Sequence, residues 1–307
     1  GIRSASFGGI GWSDFYPVAG CESAYLAFDP EDPRYVFGNC YQGLIDRWDR
    51  LTRRSKPIQP YPFLGLGVDP VDQPYRFNWN APVVADPHDP ETIYFGGNVV
   101  FRTSDRGQSW EVISPDLTRD EEEKQGPGGA PITNEGAGGE NYNTIMYLEP
   151  SPLAEGTLWA GSDDGLVHLT RDGGENWTEV TPPDLPEGMI NSIEASPHDP
   201  AKAYVVFTRY KFDDFTPHLF RTRDYGRTWT RIVDGIDAPG AWVRVVREDP
   251  EREGLLYAGT EVGVYLSFDD GDGWRKWQLN LPVVPVTDLL VHRGDLVAST
   301  QGRAFWI

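Results

Sequence analysis

The chain lacks long apolar runs: no window of its 307 residues approaches the roughly 20 apolar residues that cross a bilayer as a helix. Residues 1–12 carry neither the basic nor the apolar stretch of a secretory leader, so no address is legible. Basic side chains are in deficit, with Lys and Arg numbering 27 against 47 Asp and Glu, for a formal net charge of −20. Such a surface repels a phosphate backbone, which argues against a nucleic-acid partner, and it reads first as a solubility device rather than the mark of a cationic ligand. Five scattered His and two Cys offer no zinc spacing. Asp269-Asp-Gly-Asp272 lacks the downstream Glu of a calcium loop, so neither metal nor cofactor is expected. Cys21 and Cys40 flank one predicted hairpin; the spacing leaves open whether they pair, and a disulfide would favour an extracytoplasmic compartment.

Turn formers and aromatics are abundant instead. The 34 Gly and 26 Pro are scattered without period, which predicts many tight turns between short strands rather than long helices. With 39% hydrophobic and 13% aromatic residues the chain is long enough for a sizeable core, in one large all-β domain or two ordinary ones.

An internal repeat decides between these. Thr103-Ser-Asp-Arg-Gly-Gln-Ser-Trp110, Thr170-Arg-Asp-Gly-Gly-Glu-Asn-Trp177, Thr222-Arg-Asp-Tyr-Gly-Arg-Thr-Trp229 and Ser267-Phe-Asp-Asp-Gly-Asp-Gly-Trp274 share the pattern S/T-x-D-x-G-x-x-W. The chemistry suits a hairpin turn. Asp105, Asp172, Asp224 and Asp269 accept backbone N–H groups; Gly107, Gly174, Gly226 and Gly271 permit a left-handed residue; Trp110, Trp177, Trp229 and Trp274 pack between sheets. Each octapeptide lies between a third and a fourth strand, and two further strands joined by a Pro- and Asp-rich turn precede it, as in Pro82–Pro90 followed by Thr92–Phe95. The units span about 24–58, 79–114, 142–181, 189–233, 241–278 and a partial one at 284–307. In the first, Asp49–Arg53 replaces the octapeptide. The expected fold is all-β, a propeller of four-stranded blades with about five complete blades and a partial one. The missing strand would come from Ser4–Asp14 by strand exchange, or the chain is part of a larger ring, the reading preferred here.

The octapeptide resembles the Asp-box, or BNR repeat, of sialidase-like, sortilin-like and xyloglucanase-like propellers. Further stretches, among them Gly96–Ser104, Ser114–Arg119, Trp159–Val167, Asp213–Phe215 and Thr300–Ile307, resemble large bacterial proteins labelled sortilin-like or BNR-repeat glycosyl hydrolases. The resemblance covers nearly the whole chain. It implies an exported, longer parent, periplasmic or secreted, but no particular activity, because the hydrolase label follows the repeat and not a catalytic site.

In a propeller the octapeptides share one face, which makes their acids structural. The opposite face collects the longer loops, Lys56–Asn80, Ser114–Asn143 and Phe207–His218, where binding is expected. Ser114–Asn143 is rich in charge and Gly, as in a mobile linker or docking arm. Its glycines form no phosphate cradle, since no helix follows and no Lys-Ser/Thr ends the run. Glycoside hydrolysis needs two carboxylates across a cleft, one kept protonated. Candidates are Asp163, Asp164, Asp213, Asp214 and Glu261, with Glu22 and Glu140 where the chain enters blades; each also reads as a loop acid or turn cap. Tyr41, Trp79, Tyr142, Tyr210 and Phe212 are candidates for a sugar-stacking platform. Arg209, Arg244 and Arg303 would have to converge for a sialidase-like carboxylate site. The expectation is a non-catalytic binding or scaffold module for a protein or polysaccharide partner, with a xyloglucanase-like glycoside hydrolase as the alternative.

Overall fold

The computed structural model describes residues 16–22, 25–126 and 141–307. Ser4–Asp14 and Glu140 therefore lie outside the described residues. Six antiparallel meanders follow one another along the chain. Sheet 1 comprises β1 (Leu26–Phe28), β2 (Tyr35–Asn39), β3 (Ile45–Asp49) and β4 (Arg54–Pro57). Sheet 2 comprises β5 (Val83–Ala85), β6 (Ile93–Gly96), β7 (Val100–Thr103) and β8 (Glu111–Val112). Sheet 3 holds β9 (Ile145–Pro150), β10 (Leu158–Ser162), β11 (Val167–Thr170) and β12 (Trp177–Glu179). Sheet 4 holds β13 (Met189–Ala195), β14 (Ala203–Thr208), β15 (Leu219–Thr222) and β16 (Thr230–Arg231). In sheet 5 are β17 (Val243–Glu248), β18 (Leu256–Thr260), β19 (Gly263–Ser267) and β20 (Arg275–Lys276). Sheet 6 has three strands, β21 (Val286–His292), β22 (Asp295–Thr300) and β23 (Phe305–Trp306).

The first strands of successive sheets touch one another, and residues of sheets 1, 3, 4, 5 and 6, with Asn80 from the link into sheet 2, line one central cavity, so the sheets stand as blades around an axis. Burial follows radius. Middle strands are covered on both faces and read as unbroken apolar runs: all six residues of Ala203–Thr208 are buried. Outermost strands such as Thr230–Arg231 and Arg275–Lys276 are polar and exposed. A buried apolar cluster fills each of five blade contacts, joining Phe37 with Phe95, Val100 with Ile145, Trp159 with Ile193, Leu219 with Val246 and Val264 with Leu289. Each large side chain so buried contributes about 1.5–3 kcal/mol.

The octapeptides fasten each turn internally and to the preceding blade. In the first, Gly107 N–H donates to Thr103 Oγ1 (2.8 Å), while Ser109 donates to Asp105 through its backbone N–H (2.9 Å) and its hydroxyl (2.6 Å). Those bonds from Ser109 hold the Asp105 carboxyl down at about 2. The indoles of Trp177, Trp229 and Trp274 donate to the carbonyls of Ile113, Val180 and Ile232, each just past the fourth strand of the blade before, at 2.7, 2.8 and 2.9 Å. Trp110 donates likewise to Ile58. The octapeptide glycine lies against that same residue: a Cβ on Gly226 would sit 2.6 Å from Val180 Cβ, and one on Gly271 would sit 2.4 Å from Ile232 Cδ1. The motif is thus a hairpin turn and an interblade latch together.

Two loop boundaries differ from expectation. Lys56 belongs to β4, and Phe207 and Thr208 to β14, so those loops begin at Ile58 and Arg209. Cys21 and Cys40 form a disulfide with Cα atoms 5.2 Å apart, fastening the segment before β1 to the end of β2.

Candidate functional site

Alternating strand direction sends the octapeptides and the Pro turns to one face. The second-to-third-strand loops and the links between blades go to the other, where the candidate acids lie.

Asp163 and Asp164 form the β10–β11 turn. Asp163, 6% exposed, accepts from Thr144 N (2.9 Å), Thr144 Oγ1 (2.7 Å) and Asn78 Nδ2 (3.3 Å), drawing together the links that enter sheets 2 and 3. Burial and the adjacent Asp164 push its pKa up to about 8. Asp164, fully buried, accepts from Arg119 N (2.8 Å), Asn143 Nδ2 (2.7 Å) and the Ser162 hydroxyl. The two carboxyls engage different partners: Asp163 braces Thr144 and Asn78, and Asp164 braces the Ser114–Asn143 link.

That link departs from the expected mobile arm over its described part. Residues 114–126 are bound into a polar network in which Arg76 meets Asp116 (2.6 Å) and Asp120 (3.0 Å), and Lys124 meets Glu187 (2.8 Å). Tyr142 leaves the proposed platform for the same reason: it is 3% exposed and donates its hydroxyl to Glu187 at 2.6 Å.

On sheet 4, Asp213 is exposed at positive φ after a short 3-10 turn. Asp214 accepts from Thr216 N (3.0 Å) and Oγ1 (2.6 Å), and it meets Arg209 (3.3 Å) and His218 (3.2 Å). Burial opposes its ionisation, but the bonds from Thr216 and His218 prevail and hold the carboxylate well below its usual range. Glu261 pairs with Arg244 at 2.7 Å. Arg209 and Arg244 are therefore each engaged by a carboxylate of their own blade, and Arg303 is exposed in the β22–β23 turn. Glu22 is exposed beside the disulfide.

Of the candidate aromatics on this face, Tyr41 and Tyr210 each stand in a ring pair. Tyr41 lies 5.3 Å from Trp79, both half-buried. Tyr210 stacks on Trp242 at 4.9 Å, and the Arg244 guanidinium sits 4.3 Å from the Trp242 ring. Phe212 is half-buried against the Arg209 guanidinium.

The axis holds groups that sequence reading passed over. A cavity of about 570 Å³ opens among Tyr25, Asn80, Tyr147, Asn191, Arg244 and Asp288, and a second of about 430 Å³ lies among Glu149, Glu194 and the turn prolines Pro87, Pro152, Pro197 and Pro250. Arg247 borders both. It donates to Tyr147 Oη (3.0 Å) and meets Asp288 (2.8 Å) and Glu194 (3.3 Å), so it ties sheets 3, 4, 5 and 6 across the axis. Burial raises Glu194 to about 7, and burial with the neighbouring Glu194 raises Glu149 well above the carboxylate range. A sequence signal existed: Glu149, Glu194 and Arg247 each stand three residues before a turn proline, at the same position of the innermost strand.

No protein-family model matches the chain. A probable oligoxyloglucan-reducing end-specific xyloglucanase of Neosartorya fischeri is 25% identical over 230 residues, 67% of this chain and 27% of that protein. The chain spans less than a third of the length of the curated relatives it matches. Among solved structures, the GH74 xyloglucanase from Xanthomonas campestris matches with a TM-score of 0.62 at 19% identity, over 92% of this chain and 44% of that one. YCF48 bound to D1 peptide matches with a TM-score of 0.58 at 15% identity, over 92% and 76%. The chain is a β-propeller that resembles those of xyloglucanases, and at these identities the likeness speaks for the fold.

Proposed function

We propose that the chain is a non-catalytic binding module, exported in its parent, that seats an extended partner, a polysaccharide or peptide segment, on its loop face. The observation that carries this reading is the use of the candidate acids. Asp163, Asp164, Asp214 and Glu261 are each spent on the scaffold's own donors, whereas a glycosidase keeps two carboxyls facing each other across an open cleft. Tyr210, exposed on top of the buried Trp242, and the half-buried Tyr41–Trp79 pair offer flat apolar area beside polar groups, the chemistry of sugar and peptide stacking. The disulfide supports an extracytoplasmic setting.

One observation favours the hydrolase reading: Asp163 holds its proton to about pH 8, as a general acid must. Its surroundings favour a structural role, since donors from Thr144 and Asn78 already occupy its oxygens.

Calorimetric titration with xyloglucan oligosaccharides and with a peptide library tests the binding reading. Saturable binding weakened by Tyr210→Ala or Trp79→Ala supports it. Binding of neither class, or binding untouched by both substitutions, overturns the assignment of the loop face.

A further inference from the structure

Sheet 1 carries no octapeptide in its third-to-fourth-strand turn, and basic residues stand at and beyond that turn instead. Arg50, Arg53, Arg54 and Lys56 fall within seven consecutive residues that hold no acid, in a chain whose Asp and Glu outnumber Lys and Arg by 47 to 27. All four are exposed, and among the described residues none makes an ion pair or a side-chain hydrogen bond. Their neighbours differ: Arg34 is held by Asp49 at 3.1 Å, and Arg106 of the next blade by Glu91 at 2.8 Å. A single exposed base is ordinary, but four side by side in so acidic a chain concentrate a positive field at one edge. At physiological ionic strength the opposing field of distant exposed acids is largely screened beyond about 8 Å, so this edge acts by itself.

The same edge has a groove. Tyr16, Pro17, Val18, Trp48, Arg53 and Ser55 line an open cavity of about 410 Å³. Tyr16, 57% exposed, lies on the buried Trp48 with ring centroids 5.5 Å apart, so the groove presents an accessible aromatic ring backed by a second. The segment that carries Tyr16 is fastened to the sheet: Gly20 N–H donates to Asp46 at 2.8 Å, and Cys21 is bonded to Cys40. Ser55 pairs with Trp48 and shares its side of the sheet, while Arg54 and Lys56, paired with Asp49 and Arg47, leave by the other side of the same outermost strand. An aromatic ring, a hydroxyl and a guanidinium thus meet around one groove, with further cations along its edge.

We propose that this groove is a second binding site, for a polysaccharide of acidic sugars. A uronate ring lays its C–H face on Tyr16 while the carboxylate of the same ring meets Arg53, and carboxylates of neighbouring units fall to Arg50, Arg54 and Lys56 around the edge of the sheet. One rigid unit supplies both the flat face and the charge, whereas an acidic peptide must order a flexible side chain for each carboxylate, which favours the sugar. The site shares no residue with the binding reading of the loop face, so it goes beyond that reading and either can fail alone.

The test is calorimetric titration of the full chain with an oligogalacturonate and with the same oligosaccharide fully methyl-esterified. Saturable binding of the free acid, weakened by salt and absent for the ester, is expected. The double variant Arg53→Ala, Arg54→Ala is expected to weaken that binding about tenfold or more. Tyr16→Ala is expected to weaken it as well, and Tyr16→Phe, which keeps the ring, to retain it. No binding of the acid, equal binding of the ester, or binding untouched by the double variant or by Tyr16→Ala overturns the proposal. So does a poly-glutamate of equal charge that binds as tightly as the sugar, because charge alone would then account for the edge. The substituted side chains are all exposed, circular dichroism reports whether each variant is folded, and the comparisons of acid, ester and poly-glutamate need no variant.

Discussion

Asp163 accepts three hydrogen bonds and still keeps its proton to about pH 8, because burial and the neighbouring Asp164 outweigh the donors. Glu194, raised to about 7 chiefly by burial, behaves alike at the axis. For a carboxyl whose pKa is raised on folding, the native state binds more protons than the unfolded one. Its contribution is therefore fully present below the ordinary carboxylate value near 4 and is lost as pH rises through the folded value. Thermal unfolding between pH 5 and 9 is expected to show falling stability, with a slope of at most about 1.4 kcal/mol per pH unit per group. The double variant Asp163→Asn, Glu194→Gln is expected to flatten that fall. A wild-type midpoint that is constant or rises over the range contradicts the assignment. From sequence, Asp163 was visible only as one of two adjacent acids in a turn. What sets its proton is burial beneath links the ring brings together, against the opposing donors of Thr144 and Asn78, and no local pattern announces such burial. Arg247 was legible in principle, through its place three residues before a proline, but only once innermost strands are known to face a common axis.

The turn is the element on which sequence and structure agree best. A local motif with fixed spacing carries its own hydrogen bonds, so Asp105, Gly107 and Trp110 announce their turn without tertiary knowledge. The latch to the preceding blade was less legible, because its acceptor is a backbone carbonyl that any residue supplies. That latch gives the glycines unequal weight. Gly226 has φ +77° and its Cβ position is taken up by Val180, whereas Gly240 has φ +74° with nothing within 4 Å. Gly240→Ala is expected to cost about 1 kcal/mol through backbone strain alone. Gly226→Ala adds overpacking and is expected to cost about 2–4 kcal/mol. Denaturant titration of both variants checks the order. Equal losses would mean that the interblade contact contributes nothing. The long Ser114–Asn143 stretch misled in the opposite direction: its charge and glycine content suit a linker, yet Arg76, Lys124 and Asp164 bind residues 114–126 into the loop face.

At the scale of the molecule, rigid blades latched at one face leave the other free to vary, and that is where the aromatic pairs and the braced acids lie. The net charge of −20 disfavours anionic partners there by like-charge repulsion, without choosing between sugar and peptide. The loop face is proposed to bind and not to cut. Its most direct test is prolonged incubation of the purified chain with xyloglucan oligosaccharides, followed by quantitation of new reducing ends beside Asp163→Asn. No new reducing ends are expected from either protein. Release of reducing ends by the wild type, abolished in Asp163→Asn, would contradict the binding reading.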